Sequence, residues 1–92
     1  MSYALDFSKQ AISDLKKHKK SGDKAMNRKI EQLLEELIDH PRTGTGKPEQ
    51  LKHDLSGLYS RRITKKHRLV YRIDEGVVTV LVVSAYGHYD DK

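Results

Sequence analysis

The sequence predicts an α+β fold ordered β-α-α-β-β-β, in which a small twisted sheet carries two N-terminal helices on one face. Three observations carry that prediction. Residues 8–40 hold two helical apolar patterns in succession, residues 58–84 hold three strand-like runs separated by short turns, and one more strand-like run stands at residues 3–7. A strand, two helices and a meander bury their apolar sides most simply as a layer of helices on a layer of sheet. A chain of 92 residues fits one small domain over 1–92.

Each element has a local reason. Tyr3, Leu5 and Phe7 alternate with Ala4 and Asp6, the period of a half-buried strand. Ser8 suits the N-cap of a helix whose apolar positions are Ala11, Ile12 and Leu15 and which ends near Gly22. Lys9, Asp14, Lys16, Lys17, His18, Lys19 and Lys20 form its polar face, and the lysine run reads as a solvated surface. Asp23 caps a second helix in which Met26, Ile30, Leu33, Leu34 and Leu37 recur at three- and four-residue steps. That helix stops at His40-Pro41, because the residue before a proline resists helical geometry.

Residues 41–57 read as a loop rich in glycine, proline and charge, and loops of that length in a small domain are uncommon unless functional. Strands are expected over 58–63, 67–73 and 77–84, with turns at Thr64 to Lys66 and at Asp74-Glu75-Gly76. The expected core is Ile12, Leu15, Met26, Ile30, Leu33, Leu34, Leu37, Leu69, Tyr71, Ile73 and Leu81.

Composition narrows the function. The formal net charge is +5 and the pI about 9.5, which favours a polyanionic partner. The excess is local: residues 41–72 hold Arg42, Lys47, Lys52, Arg61, Arg62, Lys65, Lys66, Arg68 and Arg72 against only Glu49 and Asp54. Without cysteine, neither a disulfide framework nor a thiolate zinc site is available. The N-terminus has no basic, apolar leader pattern, and the apolar-rich stretch from Val77 to Val83 is too short for a spanning helix. A soluble, cytoplasmic protein with no membrane partner is the expectation.

Strand parity then bears on chemistry. Leu69, Tyr71 and Ile73 share one face of their strand, and Arg68, Val70 and Arg72 the other. In the preceding strand Tyr59 and Ile63 fall on the apolar side and Arg62 opposite, while Arg61 falls awkwardly among the apolar set. The odd-length turn Thr64-Lys65-Lys66 would set Arg62 beside Arg68 on the uncovered face. Two guanidiniums side by side repel unless an anion lies between them, and a phosphate fits.

Cleavage of RNA needs a base to take the 2′-hydroxyl proton, an acid for the departing 5′-oxygen, and cations facing the phosphate. Glu49, among cations that keep it ionised, can be the base, although a carboxylate in a basic loop is equally an ion-pair partner. His88 can carry a proton near neutral pH, as an acid must. This chemistry needs no metal and no cofactor. His67, beside a turn on the apolar register, reads as structural, His53 as an RNA-contacting candidate, and His18 and His40 as surface residues.

The runs Gly46-Lys47-Pro48-Glu49, Leu51-Lys52-His53, Leu55-Ser56-Gly57, Ser60-Arg61-Arg62-Ile63-Thr64 and His67-Arg68-Leu69-Val70-Tyr71, with Gly87-His88-Tyr89, closely resemble the YoeB/Txe-type toxins of the RelE superfamily. The resemblance implies a RelE-like fold and a ribosome-dependent mRNA endoribonuclease that cuts in the A site of the small subunit. It assigns Glu49 as base, His88 as acid, Arg68 to the phosphate charge and Tyr89 to orienting or stacking on the substrate. Lys52 and Arg62 line the same site, and Lys47 and His53 join them as RNA-binding candidates. An antitoxin protein, the ribosome and mRNA are the implied partners, and a homodimer is compatible with the reading. The chain departs from the pattern in its tail, where Asp90-Asp91-Lys92 follow a tyrosine that is often terminal. A non-catalytic inhibitor of the same fold, as in ParE-type toxins, is the alternative, and the trio Glu49, Arg68 and His88 argues against it.

Overall fold

Helix caps set the first half of the chain. In the computed structural model, which describes residues 2–46, 48–51, 57–74 and 76–84, strand β1 (Ala4–Phe7) leads directly into helix α1 (Lys9–Ser21). The Ser8 hydroxyl accepts from the Ala11 N–H, a cap worth about 1 kcal/mol, and Gly22 ends the helix in the left-handed region at φ 76°. Asp23 caps helix α2 (Lys24–Asp39) in the same way through the Met26 N–H. Four strands follow: β2 (Glu49–Gln50), β3 (Leu58–Arg62), β4 (Arg68–Asp74) and β5 (Val77–Ser84). The two-residue β2 lies inside the segment expected to be all loop; two residues between irregular segments show no period that a sequence could reveal.

The sheet order is β1-β5-β4-β3-β2, with β1 parallel to β5 and the other pairs antiparallel. Both helices belong to one face. Met26, Ile30, Leu33 and Leu37 of α2 and Ala11 of α1 pack with Leu69, Tyr71, Val78, Val80 and Val83 of the sheet and with Ile63. Each such buried aliphatic side chain contributes on the order of 1.5–3 kcal/mol. Leu15, Leu34 and Ile73 are half-buried against this cluster, as expected.

Two expected core residues, Ile12 and Leu81, lie elsewhere. Ile12 is 44% exposed, because it lies about 100° around the helix from Ala11, whereas Asp14 and His18 share the Ala11 face and are buried. Leu81 packs on the opposite side of the sheet, with Leu51, Leu58 and Val70. It alternates normally with Val80, and the irregularity in the β4–β5 ladder, where Val70 pairs with Val82 but Tyr71 pairs with Val80, comes just beyond Val80. The extra residue resets the alternation, so Val83 turns to the helices with Val78 and Val80.

Beyond Phe7, β1 ends and β5 continues, and helix α1 takes over the hydrogen bonds that a strand would have made. Ser8 donates from its N–H to the Val80 carbonyl and from its hydroxyl to the Leu81 carbonyl. Asp14 accepts from the Val83 N–H at 3.0 Å, and His18 Nε2 donates to the Val83 carbonyl. The burial of Asp14 and His18, placed on the solvated face by the sequence pattern, is therefore satisfied by backbone.

Candidate active site

The face of the sheet away from the helices is built by parity. Glu49 pairs with Ser60, Ser60 with Val70, and Arg62 with Arg68, and directly paired residues in an antiparallel ladder project to the same side. Arg62 and Arg68 thus stand next to each other, as the three-residue turn requires. That turn is held by Thr64, whose hydroxyl accepts from the N–H groups of Lys66 and His67. Arg68 Nη1 lies 3.8 Å from Glu49 Oε1, with the Arg68 side chain 27% and the Glu49 side chain 65% exposed. At that separation and exposure the ion pair itself contributes little.

Beneath these charges lies an apolar floor of Leu51, Val70, Leu58 and Leu81. Ser60, on the ladder between Glu49 and Val70, is buried, and its hydroxyl oxygen has no hydrogen-bond partner among the described residues. Of the residues read from the sequence as site residues, the structure brings Glu49, Arg62 and Arg68 to one face. Lys47, Lys52, His53, His88 and Tyr89 lie outside the described residues. His88 is four residues beyond Ser84, the last residue of β5 and the ladder partner of Arg68.

The opposite side of β3 holds what sequence reasoning left unexplained. Arg61 is fully buried on the helix face. Its Nε donates to the Tyr71 hydroxyl at 3.1 Å, and Nη1 donates to Glu36 Oε1 at 2.9 Å and to the Thr45 carbonyl at 3.4 Å. Nη2 donates to the carbonyls of Thr43, at 2.7 Å, and of His40. All five guanidinium donors are used. Glu36 also accepts from the Thr45 N–H and hydroxyl, at 2.8 and 2.6 Å. Partial burial would raise the Glu36 pKa, but the Thr45 bonds, aided by Gln32 and the Arg61 charge, outweigh it and hold the carboxyl below its usual range. Burial raises the Tyr71 phenol, which stays neutral and donates to the Pro41 carbonyl at 2.7 Å. The signal for this cluster was present in the sequence: Arg61 sits out of phase with its strand's polar face.

His67 meets His18 edge to face with ring centroids 4.8 Å apart, and its buried Nδ1 has no partner among the described residues. Burial, then the neighbouring His18 and Lys66, lower the His67 pKa. A structural role, as expected for His67, fits this placement. Among the described residues no group of three or more His, Cys, Asp and Glu could hold a metal ion, and no helix is long and apolar enough to cross a membrane.

With the fold and face in place, comparison with known proteins assigns the class. A family model for the YoeB-like toxin of bacterial type II toxin–antitoxin systems matches residues 7–89, which makes the chain a toxin of that class. Toxin YoeB of Escherichia coli K12 is 45% identical over 67 residues, covering 73% of this chain and 77% of that protein. The chain belongs to the YoeB toxin family. Among solved structures, the YoeB dimer from Staphylococcus aureus superposes with a TM-score of 0.78 at 39% identity, covering 91% of this chain and 97% of that one. The heterotetrameric YoeB–YefM toxin–antitoxin complex from the same organism gives 0.77 at 39%, with the same coverage.

Proposed function

We propose that this toxin is a ribosome-dependent endoribonuclease that cuts mRNA in the A site of the small subunit by metal-independent acid–base attack of the RNA's own 2′-hydroxyl. The observation that supports this best is the meeting of Glu49 and Arg68 on the uncovered sheet face, with Arg62 directly opposite Arg68. Glu49 takes the 2′-hydroxyl proton, and the 2′-oxygen then attacks the adjacent phosphorus. Arg62 and Arg68 face the non-bridging oxygens, where charge grows in the transition state. His88 gives its proton to the departing 5′-oxygen, with Tyr89 orienting the nucleotide, and Lys47, Lys52 and His53 hold the neighbouring phosphates. The products are a 2′,3′-cyclic phosphate upstream and a 5′-hydroxyl downstream.

The S. aureus relative forms a complex with the YefM antitoxin and also a dimer. By extension, this chain pairs with an antitoxin whose acidic segment covers Arg62 and Arg68, and it forms a homodimer. Its place of action is the cytoplasm, where the ribosomes are.

The test is cleavage of a ribosome-bound message carrying a 2′-deoxy nucleotide at the target position. Binding should persist while cleavage is lost, and the unmodified message should yield the cyclic phosphate or its 3′-phosphate hydrolysis product. A 3′-hydroxyl product would overturn the mechanism, and an intact message with arrested replication would favour the ParE-like alternative.

A further inference from the structure

We infer that Arg61 is a positioning residue for Glu49, acting from the helix-covered side of the sheet by bracing the segment that delivers the carboxylate to the open side. The inference rests on the reading of Glu49 as the base.

Strand β2, which carries Glu49, makes only two register pairs with β3, too few to fix an edge strand by themselves. Its far end is held where the buried Leu51 donates its N–H to the Leu58 carbonyl at 2.8 Å, and its near end depends on the residues before it. Those are strapped down by one side chain: three of the five Arg61 donors hold the carbonyls of His40, Thr43 and Thr45. The other two hold Tyr71 and Glu36, and these in turn fix Pro41 and Thr45. Gly46 completes the strap, its carbonyl accepting from the Arg62 N–H at 2.8 Å, three residues before Glu49.

The strap is drawn close. Gly44 has φ 121°, and a Cβ there would collide with Glu36 Oε1; at Gly46, φ 84°, a Cβ would stand 2.9 Å from the Arg62 carbonyl. A buried arginine is a costly way to fill a core, since an apolar residue of similar volume is often as stable or more so. What an apolar residue cannot do is hold four loop carbonyls and a carboxylate in one geometry, directly or through Tyr71. The tandem Arg61-Arg62 therefore divides the work, one side chain fixing where the base arrives and the next facing the phosphate.

The experiment measures single-turnover cleavage of ribosome-bound mRNA by Arg61→Lys and Gly44→Ala, each alone and combined with Glu49→Ala, with ribosome affinity measured in parallel. Lysine has three donors and no fork, so Arg61→Lys should slow cleavage about tenfold to a hundredfold, as for a base displaced by roughly an ångström. Affinity should change less than about twofold, because the phosphate-facing arginines remain. Gly44→Ala, which strains the same strap and keeps the cation, should give the same pattern and is the readout if Arg61→Lys fails to fold. In the Glu49→Ala background neither substitution should lower the residual rate further, since the carboxylate they misplace is gone. Equal fold losses in both backgrounds, or a folded Arg61→Lys at the wild-type rate, would overturn the brace while leaving the base assignment standing. A wild-type rate for Glu49→Ala alone would remove the base assignment, and the brace with it.

Discussion

Arg61 and Arg62 are consecutive residues of one strand, and the two faces they enter make them different chemical objects. Arg61 has no exposed surface, and each of its five donors meets a fixed protein acceptor. Arg62 is exposed on the opposite face beside Arg68, a second cation. The same guanidinium is a structural node on one side and an unspent attraction for anions on the other. What decides between these roles is strand parity, which a one-residue slip in register would reverse.

The largest effect expected from breaking this comparison is on stability. Arg61→Ala leaves Glu36 and the carbonyls of His40, Thr43 and Thr45 without their common donor, and should cost about 3–5 kcal/mol in urea unfolding. Arg62→Ala, on the exposed face, should stay within about 0.5 kcal/mol of the parent. Its cost should appear instead in cleavage, slowed roughly tenfold to a hundredfold as the phosphate loses one cation. Equal stability losses for the two would mean that parity is not what separates them.

A smaller effect is expected with pH. His67 has a lowered pKa, so the unfolded chain binds its proton first as pH falls. Its contribution to stability is complete above the unfolded value, near about pH 6.5, and is lost progressively as pH falls toward the lowered folded value. Glu36, also lowered, loses its contribution in a second window, beginning only near about pH 4.3. Unfolding curves across pH should show His67→Gln flattening the upper window and Glu36→Gln the lower. A single window abolished by either variant would couple the two clusters, contrary to their separate partners.

The smallest effect sharpens the helix assignment. Ile12→Ser should change stability by less than about 0.5 kcal/mol, because that residue stands at the surface outside the core cluster, and thermal unfolding would detect a larger loss.

Much of this was readable because the causes are local. Ser8, Gly22 and Asp23 mark helix ends through bonds made within a few residues, and the three-residue turn fixes the parity that sets Arg62 beside Arg68. The misreadings have distant causes. Asp14 and His18 are buried because the Val83 backbone, 69 and 65 residues away, needs their side chains, and no helical period encodes that partner. A bulge parts Leu81 from Val83, which unbroken alternation would put on one face, and β2 exists only because β3 offers it an edge. Of the site, Glu49, Arg62 and Arg68 could be read from motif and parity, whereas of the brace behind them only the out-of-phase Arg61 could, since its partners lie in α2, the loop and β4.

The parallel pairing of β1 with β5 bears on the order in which the molecule can be made. Among the described strands the first has β5 as its neighbour, and residues 4–7 find their partners at residues 77–80. A growing polypeptide that has reached the end of β4 therefore holds two capped helices and a hairpin but an unmated first strand, and Asp14 and His18 have no Val83 to hold. Contacts of such long range form late and slowly. The helix-covered side of the toxin therefore waits on residues 77–84, whereas Arg62 and Arg68 already stand side by side in the earlier hairpin.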